Sequence, residues 1–226
     1  MPANAPETLI AAAKRVLIAE DHPLYRDALR AVIPQACPEA EIAEACTQDE
    51  VLVQVISDAA FDLIVLDLNL PGAVGYSCLK QTLQVAKLTP IIVVSALDDA
   101  AIMGKAVLAG ATAYVPKSAS RQVLVDAIRI IMDGGTYMPA QAMAALRSAQ
   151  SSNEPNDSGE SVQDELTSRQ RRVLKLLAEG FSNKHIARDL DISEITVKAH
   201  VSAILKKLGV SNRVQAAIEA RRLLAR

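Results

Sequence analysis

The first half of the sequence contains five strand-like runs, and four of them are followed by side chains suited to phosphoryl chemistry. Glu20 and Asp21 follow the first run, Asp67 the third, Ser95 the fourth and Lys117 the fifth. The carboxyl ends of parallel strands meet at one edge of a sheet, so these groups should converge there. Converging carboxylates repel one another, which favours a divalent cation with oxygen ligands such as Mg²⁺. A carboxylate beside Mg²⁺ can attack phosphorus, while an ammonium and a hydroxyl group bind the phosphoryl oxygens.

Each of these residues, taken singly, also has a purely local role available to it. Glu20 and Asp21 can cap the helix that follows them, Asp67 can begin the turn at residues 69–72, and Lys117 can be a solvated side chain. The combination is harder to account for in this way, because the acidic pair, the aspartate, the serine and the lysine each stand at the end of a strand. The pattern therefore favours one shared site.

The elements that must position these groups are short β-branched runs alternating with helical patterns. This alternation predicts βαβ units, and hence an α/β doubly wound parallel sheet of five strands with helices on both faces. The predicted strands are Val16–Ala19, Glu41–Glu44, Leu63–Leu66, Ile91–Val94 and Ala113–Val115, and the predicted helices are Pro23–Val32, Ala100–Leu108 and Ser120–Met132.

The net charge of −2 hides a division along the 226 residues. Residues 1–146 have a net charge of −6, residues 147–165 of −4, and residues 166–226 of +8. The segment Ser148–Gln163 is polar with hardly any apolar residues, so it is predicted to be a flexible linker. The basic final third indicates contact with nucleic acid, although a charged solvent-facing surface is the simpler alternative.

The basic third has a wholly helical pattern with capping residues at its boundaries. Thr167 and Gln170 have capping-box spacing, Ser182 and Ser193 can cap the next two helices, and Ser211 or Asn212 can cap the last. The third of these helices should end at Gly209 and the last near Leu224. Only Asp191 and Ile192 separate the second helix from the cap of the third, which predicts a helix-turn-helix. A small all-α domain therefore follows the sheet domain.

The third helix has the residue pattern of a helix that enters the major groove of DNA. Its apolar residues should pack inward, which leaves Lys198, Ala199 and Ser202 on the outward side as candidates for facing base edges. Lys206 and Lys207 can alternatively interact with the helix C-terminus. The apolar set is Ile195, Val197, Val201, Ile204, Leu205 and Leu208, and the candidate phosphate contacts are Lys184, Thr196, Lys206, Lys207 and Arg213.

Residues 14–135 resemble the receiver domain of bacterial two-component response regulators, which has a flavodoxin-like fold. The resemblance rests on the strand-end residues, on the motif Asp67-Leu68-Asn69-Leu70-Pro71-Gly72, and on Gly110-Ala111-Thr112-Ala113-Tyr114 before Lys117. It implies that Asp67 accepts a phosphoryl group from a phosphohistidine of a sensor histidine kinase. It also implies that Glu20, Asp21, Asp67 and the Asn69 backbone carbonyl bind Mg²⁺, that Ser95 and Lys117 hold the phosphoryl group, and that Tyr114 is a switch residue. Receivers commonly have proline after this lysine, whereas here Ser118 follows it and Pro116 precedes it.

Residues 166–217 resemble the LuxR-type helix-turn-helix. The matching residues include Leu166-Thr167, Thr196-Val197-Lys198 and Lys207-Leu208. The two resemblances together imply a NarL/FixJ-family regulator of transcription that is not an enzyme. It would work in the cytoplasm, with no membrane contact, as a homodimer on double-stranded DNA with paired half-sites. The implied organisation is an N-terminal extension at 1–13, a receiver at 14–135, a linker at 136–163 and the DNA-binding domain at 164–226.

Three other functions are alternatives to a phosphorylated regulator of transcription. A phosphohydrolase using an aspartyl phosphate, as in haloacid-dehalogenase-like enzymes, needs a second aspartate where Asn69 stands. A LuxR-type regulator that senses a lactone needs a ligand pocket in the front domain, for which two Phe, four Tyr and no Trp are a poor supply. A receiver that acts through protein contacts alone, without phosphate, is the third. The dimer face is left open between helix four with strand five, helix one with helix five, and the last helix of the DNA-binding domain.

Overall fold

The computed structural model describes residues 13–57, 61–86, 89–139, 166–210 and 212–224. Its first part is a five-stranded, wholly parallel sheet with the strand order β2-β1-β3-β4-β5. The order reverses direction beside β1, which places β1 and β3 at the centre of a doubly wound fold. The strands are β1 (Arg15–Ala19), β2 (Glu41–Ala45), β3 (Leu63–Asp67), β4 (Ile91–Ser95) and β5 (Ala113–Pro116).

Helices cover both faces of the sheet and create two hydrophobic cores. Along β1, Leu17 and Ala19 pack into one core, while Val16 and Ile18 pack into the other. Successive side chains on a strand point to opposite faces, so a sheet covered on both sides requires a continuous apolar run of this kind. The helices of this part are α1 (Pro23–Ala36), α2 (Gln48–Ser57), α3 (Ser77–Val85), α4 (Ala100–Leu108) and α5 (Arg121–Met132).

The predicted α/β architecture is confirmed, but the sequence pattern did not mark two of its helices. In α2, Val51 and Val55 are buried, whereas Val53 and Ile56 are largely exposed. Apolar β-branched residues therefore lie on both sides of this helix, and they obscure the helical period on which the prediction depends. In α3 the buried positions include Cys78 and Thr82, which a hydrophobicity pattern does not single out.

The second part consists of four short helices whose ends carry the expected caps. The Thr167 hydroxyl accepts from the Gln170 amide, and the Gln170 side chain accepts from the Thr167 amide, which completes a capping box. Asn212 caps the last helix by accepting from the Gln215 amide at 2.8 Å, while the alternative cap, Ser211, lies outside the described residues. The helices are α6 (Ser168–Ala178), α7 (Asn183–Leu190), α8 (Glu194–Leu208) and α9 (Arg213–Leu224).

The turn of the helix-turn-helix lies between α7 and α8. Ser182 caps α7 and Ser193 caps α8. Asp191 ends α7 in the left-handed conformation, with φ of 52°, and Gly209 ends α8 with φ of 66°. An aspartate tolerates this conformation better than most non-glycine residues, which explains how so short a connection can reverse the chain.

The helical part packs against the amino ends of the strands, at the opposite edge of the sheet from the strand-end polar groups. At the start of α9, the Gln215 side chain donates to the Leu108 carbonyl at 2.9 Å and the Asn212 side chain donates to the Ala111 carbonyl at 3.2 Å. Val214 of α9 packs against Val107 of α4. The last turn of α4 and the residues just after it therefore form the contact of the sheet part with α9.

Some predicted segments fall outside the described residues. The N-terminal extension at 1–13 is described only at residue 13, and the linker at 136–163 only at residues 136–139. Within the described parts of the chain, no helix is both long and apolar enough to cross a membrane.

Candidate functional site

The four strand-end groups do meet at the carboxyl edge of the sheet. The Nζ atom of Lys117 lies 2.9 Å from Oε1 of Glu20 and 2.8 Å from Oδ2 of Asp67. The side chains of Glu20, Asp67 and Ser95 have at most 1% of their surface exposed. Lys117 reaches this position with proline before it rather than after it, because its amide bonds the Ser95 carbonyl at 2.7 Å and fixes the end of β5 against β4.

The charges of the site are compensated only in part, because one ammonium group lies between two buried carboxylates. Burial alone would lower the pKa of Lys117, but its hydrogen bonds with Asp67 and Glu20 outweigh that effect and hold the pKa above its ordinary value. The ammonium group therefore stays charged between two buried carboxylates. Breaking such an arrangement by removing one partner leaves an uncompensated buried charge, which is strongly unfavourable.

Tyr25 is a member of the site that the sequence pattern did not indicate. Its ring centroid lies 4.7 Å from Nζ of Lys117, within the range of a cation–π contact. Burial and the nearby charges of Glu20 and Asp67 raise the pKa of Tyr25 to about 12, so the phenol stays protonated. Its position in the first turn of α1, shortly after the acidic pair, is the sequence signal that could have identified it.

The acidic edge has the chemistry of a divalent cation site. Ligand atoms of Glu20, Asp21, His22 and Asp67 all lie within 4.8 Å of one another. Oε2 of Glu20 is buried and, although it lies 2.8 Å from Lys117 Nζ, it has no properly oriented hydrogen-bond partner among the described residues. A cluster in which carboxylates outnumber the one lysine fits an oxygen-preferring cation such as Mg²⁺.

Asn69 and His22 both make hydrogen bonds with carboxylates of the acidic cluster. Asn69 has an exposed side chain, and its amide donates to Oδ1 of Asp67 at 3.1 Å. The role of the Asn69 carbonyl as a metal ligand stays a prediction. His22, which the sequence pattern did not indicate, places Nδ1 2.9 Å from Oδ1 of Asp21 and 3.2 Å from Oε1 of Glu20.

Ser95 and Tyr114 are joined through the backbone of Leu97. The Ser95 hydroxyl accepts from the Leu97 amide at 3.3 Å, and the Tyr114 hydroxyl donates to the Leu97 carbonyl at 2.6 Å. Tyr114 is fully buried, and this burial raises the pKa of its phenol. Tyr114 therefore lies inward in this structure and is connected to Ser95 through Leu97, while its role as a switch residue stays a prediction.

The outward side of α8 carries the three residues predicted to face base edges. Lys198 and Ala199 are exposed and Ser202 is partly exposed, while Val197 and Ile204 on the other side are buried. The prediction that Ile195 packs inward is wrong, because its side chain is 80% exposed. Ile195 stands seven residues before Ser202, so the helical repeat places it on the outward side.

The predicted phosphate contacts are divided between surface and interior. Lys184, Thr196 and Lys206 are exposed. Lys207 donates to the Gln170 side chain at 2.9 Å, which ties it to the capping box of α6. Lys184 and Thr196 therefore lie where a phosphate could approach them in this arrangement, whereas Lys206 lines a groove that it shares with Lys80 and Gln84 of α3.

Arg213 is buried rather than presented to solvent. Its guanidinium donates to Oδ1 of Asn183 at 2.8 Å and to the carbonyl of Phe181, and Nε has no partner among the described residues. Burial lowers its pKa to about 10. In this arrangement Arg213 cannot contact DNA, because it holds α9 against the start of α7.

The first part of the molecule lies close to the base-facing side of α8. A cavity of about 340 Å³ is lined by Lys198 and Ser202 of α8, by Arg213, and by Asp62 and Thr112 of the sheet part. Burial acts to raise the pKa of Asp62, but hydrogen bonds from Lys14 and the Arg15 amide, with the Lys14 and Lys198 charges, hold it below its ordinary value. An acidic group of the first part is thus electrostatically linked to a predicted base-facing lysine.

Two family models match the chain in the order that the fold shows. Residues 16–129 match the response regulator receiver domain, and residues 164–220 match the bacterial regulatory proteins of the luxR family. Among curated proteins, the glycerol metabolism activator of Pseudomonas putida is 40% identical over 208 residues, covering 91% of this chain and 94% of that protein. The nitrate/nitrite response regulator protein NarL of Escherichia coli K12 is 32% identical over 203 residues, covering 90% of this chain and 93% of that one.

Two solved structures share the fold of all or part of the chain. A LuxR-family two-component response regulator from Aurantimonas is 27% identical, covers 62% of this chain and 99% of its own, and has a TM-score of 0.54. RcsB of Salmonella enterica serovar Typhimurium, bound to promoter DNA with a phosphomimetic, is 22% identical, covers 93% of this chain and 98% of its own, and has a TM-score of 0.53. The second likeness bears on the fold alone.

The receiver match covers the part of the chain that contains the strand-end cluster, and the luxR match covers the part that contains the capped helix-turn-helix. The chain belongs to the NarL/FixJ family of two-component response regulators, with a receiver domain followed by a LuxR-type DNA-binding domain, and it is a regulator of transcription.

Proposed function

We propose that phosphorylation of Asp67 by a sensor histidine kinase releases the DNA-binding domain, which then binds paired DNA half-sites as a homodimer. The observation that carries this proposal is the cluster of Lys117, Glu20 and Asp67 at the carboxyl edge of the sheet, in a molecule whose opposite edge contacts the DNA-binding domain.

The chemistry of the first step follows from the geometry of the cluster. Glu20, Asp21, Asp67 and the Asn69 carbonyl would hold Mg²⁺, which neutralises charge on the incoming phosphoryl group. An Asp67 carboxylate oxygen attacks phosphorus, the N–P bond of the kinase phosphohistidine breaks, and the electron pair returns to the histidine nitrogen. The ammonium of Lys117, now within 2.8 Å of Asp67, can then pair with a phosphoryl oxygen, and the Ser95 hydroxyl can donate to another.

Helix α4 is the element best placed to carry the signal across the sheet. Its N-terminal cap, Asp99, follows Leu97, whose backbone contacts both Ser95 and Tyr114. Its C-terminal end bears the Leu108 carbonyl that accepts from Gln215 of α9. Nine helical residues span about 13 Å, so α4 links the phosphoacceptor edge to the interdomain contact. A shift of the loop between β4 and α4 would displace the α4 surface that α9 contacts.

The interdomain contact limits the approach of DNA to part of the base-facing side of α8. Ser202 and Lys198 share a cavity with receiver residues, and Arg213 is 7% exposed. A duplex that reached both Lys198 and Ser202 would have to enter the space next to the receiver. Release of the receiver therefore has to precede full contact with the major groove.

The experiment that tests this function is selection of bound sites from random-sequence duplexes by the full chain treated with acetyl phosphate and Mg²⁺. We expect enrichment of two half-sites related by two-fold symmetry, because a symmetric dimer presents two copies of α8. The affinity should fall steeply with salt concentration, since the +8 C-terminal third displaces counterions from phosphates. Failure to enrich any sequence, with binding that depends on salt alone, would contradict sequence-specific recognition.

A further inference from the structure

The N-terminal end of α8 carries an exposed apolar side chain. Ile195 is the second residue of the helix and 80% of its surface is accessible. Every other exposed large apolar side chain among the described residues belongs to the receiver. Isolated apolar residues occur on the surfaces of most proteins, so exposure alone does not indicate a function for Ile195. Its position on the helix does.

That position is on the outward side, in line with the predicted base-facing residues. Lys198, Ala199 and Ser202 follow Ile195 by three, four and seven residues, which is the spacing of one helix face. The opposite face is fixed by Val197 and Ile204, which are fully buried in the core of the domain. Ile195 cannot join that core without rotation of the whole helix.

The end of α8 that bears Ile195 is also the end that meets the bases. In a helix-turn-helix, the N-terminal residues of the second helix contact base edges in the major groove. Lys198 and Ser202 line the cavity next to the receiver, but Ile195 does not line it. The side chain is therefore accessible while the receiver is docked.

We infer that Ile195 is a specificity-determining residue that contacts the C5-methyl group of a thymine in each half-site. A sec-butyl group offers no hydrogen bond, so it cannot read the donors and acceptors of the base edges. The apolar group presented in the major groove is the thymine methyl. Contact removes both apolar surfaces from water, whereas a base without the methyl leaves the isoleucine facing a polar edge. This inference rests on the proposed DNA-binding function and adds one base preference to it.

The test replaces single thymines of the selected duplex with deoxyuridine, which removes only the methyl group. For the phosphorylated full chain, we expect affinity to fall about fivefold at one thymine in each half-site, the size of one buried methyl contact. In Ile195→Ala, which removes the contact from both half-sites of the homodimer, the affinity for the thymine duplex should fall by about 25-fold, and the deoxyuridine penalty at that position should disappear. Ile195→Val should retain part of the penalty.

Two controls distinguish a methyl contact from a general weakening of DNA binding and from a loss of folding. Lys184→Gln removes a candidate phosphate contact, so it should weaken binding to both duplexes equally and leave the penalty intact. Thermal unfolding of Ile195→Ala should match that of the parent chain, because the side chain is exposed. A parent chain insensitive to every deoxyuridine, or an Ile195→Ala variant that keeps the full penalty, overturns the inference. Absence of any selected site would instead contradict the proposed DNA-binding function.

Discussion

The Asp67→Asn variant should incorporate no phosphoryl group when incubated with acetyl phosphate and Mg²⁺, whereas the parent chain should incorporate one. Asparagine keeps the shape of the side chain but has no carboxylate oxygen to attack phosphorus. Intact-mass spectrometry of the protein measures the incorporation directly. The Asp67 carboxylate bonds both Lys117 Nζ and the Asn69 amide, and the variant has no attacking oxygen at this position, so the loss should be complete.

The matched control for this variant is Asp98→Asn. Asp98 lies on the same edge of the sheet, in the loop after β4, but it is exposed and contacts Ser118 rather than Lys117. Its substitution should leave incorporation unchanged. Chelation of Mg²⁺ should slow incorporation in the parent chain, and Asp21→Asn should slow it on the order of tenfold or more, as expected when metal binding is weakened. Equal labelling of the Asp67→Asn and parent chains would mean that another residue accepts the phosphoryl group.

Removal of residues 1–146 should raise DNA affinity relative to the unphosphorylated full chain by about 10- to 100-fold. The receiver occupies the space beside Lys198 and Ser202, and its −6 charge is held next to the +8 C-terminal third. Coupling between domains commonly amounts to 5- to 150-fold in affinity, on the order of 1–3 kcal/mol. The fragment retains its own buried core, built on Val173, Ile186 and Ile204. Fluorescence anisotropy with a selected duplex measures the change.

Salt concentration separates the steric and electrostatic parts of this effect. If the receiver acts only as a nearby negative charge, the difference between fragment and full chain should vanish at high salt, because exposed charges are screened. If it covers α8, a difference should persist. Full-length Gln215→Ala, which loses a hydrogen bond to the Leu108 carbonyl, should shift affinity a fewfold in the same direction. Equal or lower affinity of the fragment would contradict an inhibitory receiver.

The chemistry of the receiver site could be predicted from sequence because parallel strands end at one edge. Glu20, Asp67, Ser95 and Lys117 each follow a recognisable strand, so strand order alone brings them together. The part played by Tyr25 was not predictable in this way. Its contact with Lys117 depends on the angle at which α1 leaves β1, and hydrophobic spacing carries no information on that angle.

The outward and inward sides of α8 were predicted correctly except at its first turn. Ile195 was included among the inward apolar residues because such residues recur every two to four positions in α8. The helical repeat instead places it on the same face as Lys198 and Ser202. The burial of Arg213 was missed for a different reason. It depends on how α9 packs against the start of α7 and beside the receiver, which is a long-range contact with no local sequence signal.

The most direct test of the phosphorylation switch compares the DNA affinity of the full chain before and after phosphorylation. The same selected duplex is titrated with unmodified protein and with protein shown by mass to carry one phosphoryl group, with Asp67→Asn taken through the same treatment. We predict that affinity rises about tenfold or more for the parent chain and does not change for the variant. An unchanged affinity of the phosphorylated parent chain would contradict the switch and favour a receiver that works through protein contacts alone.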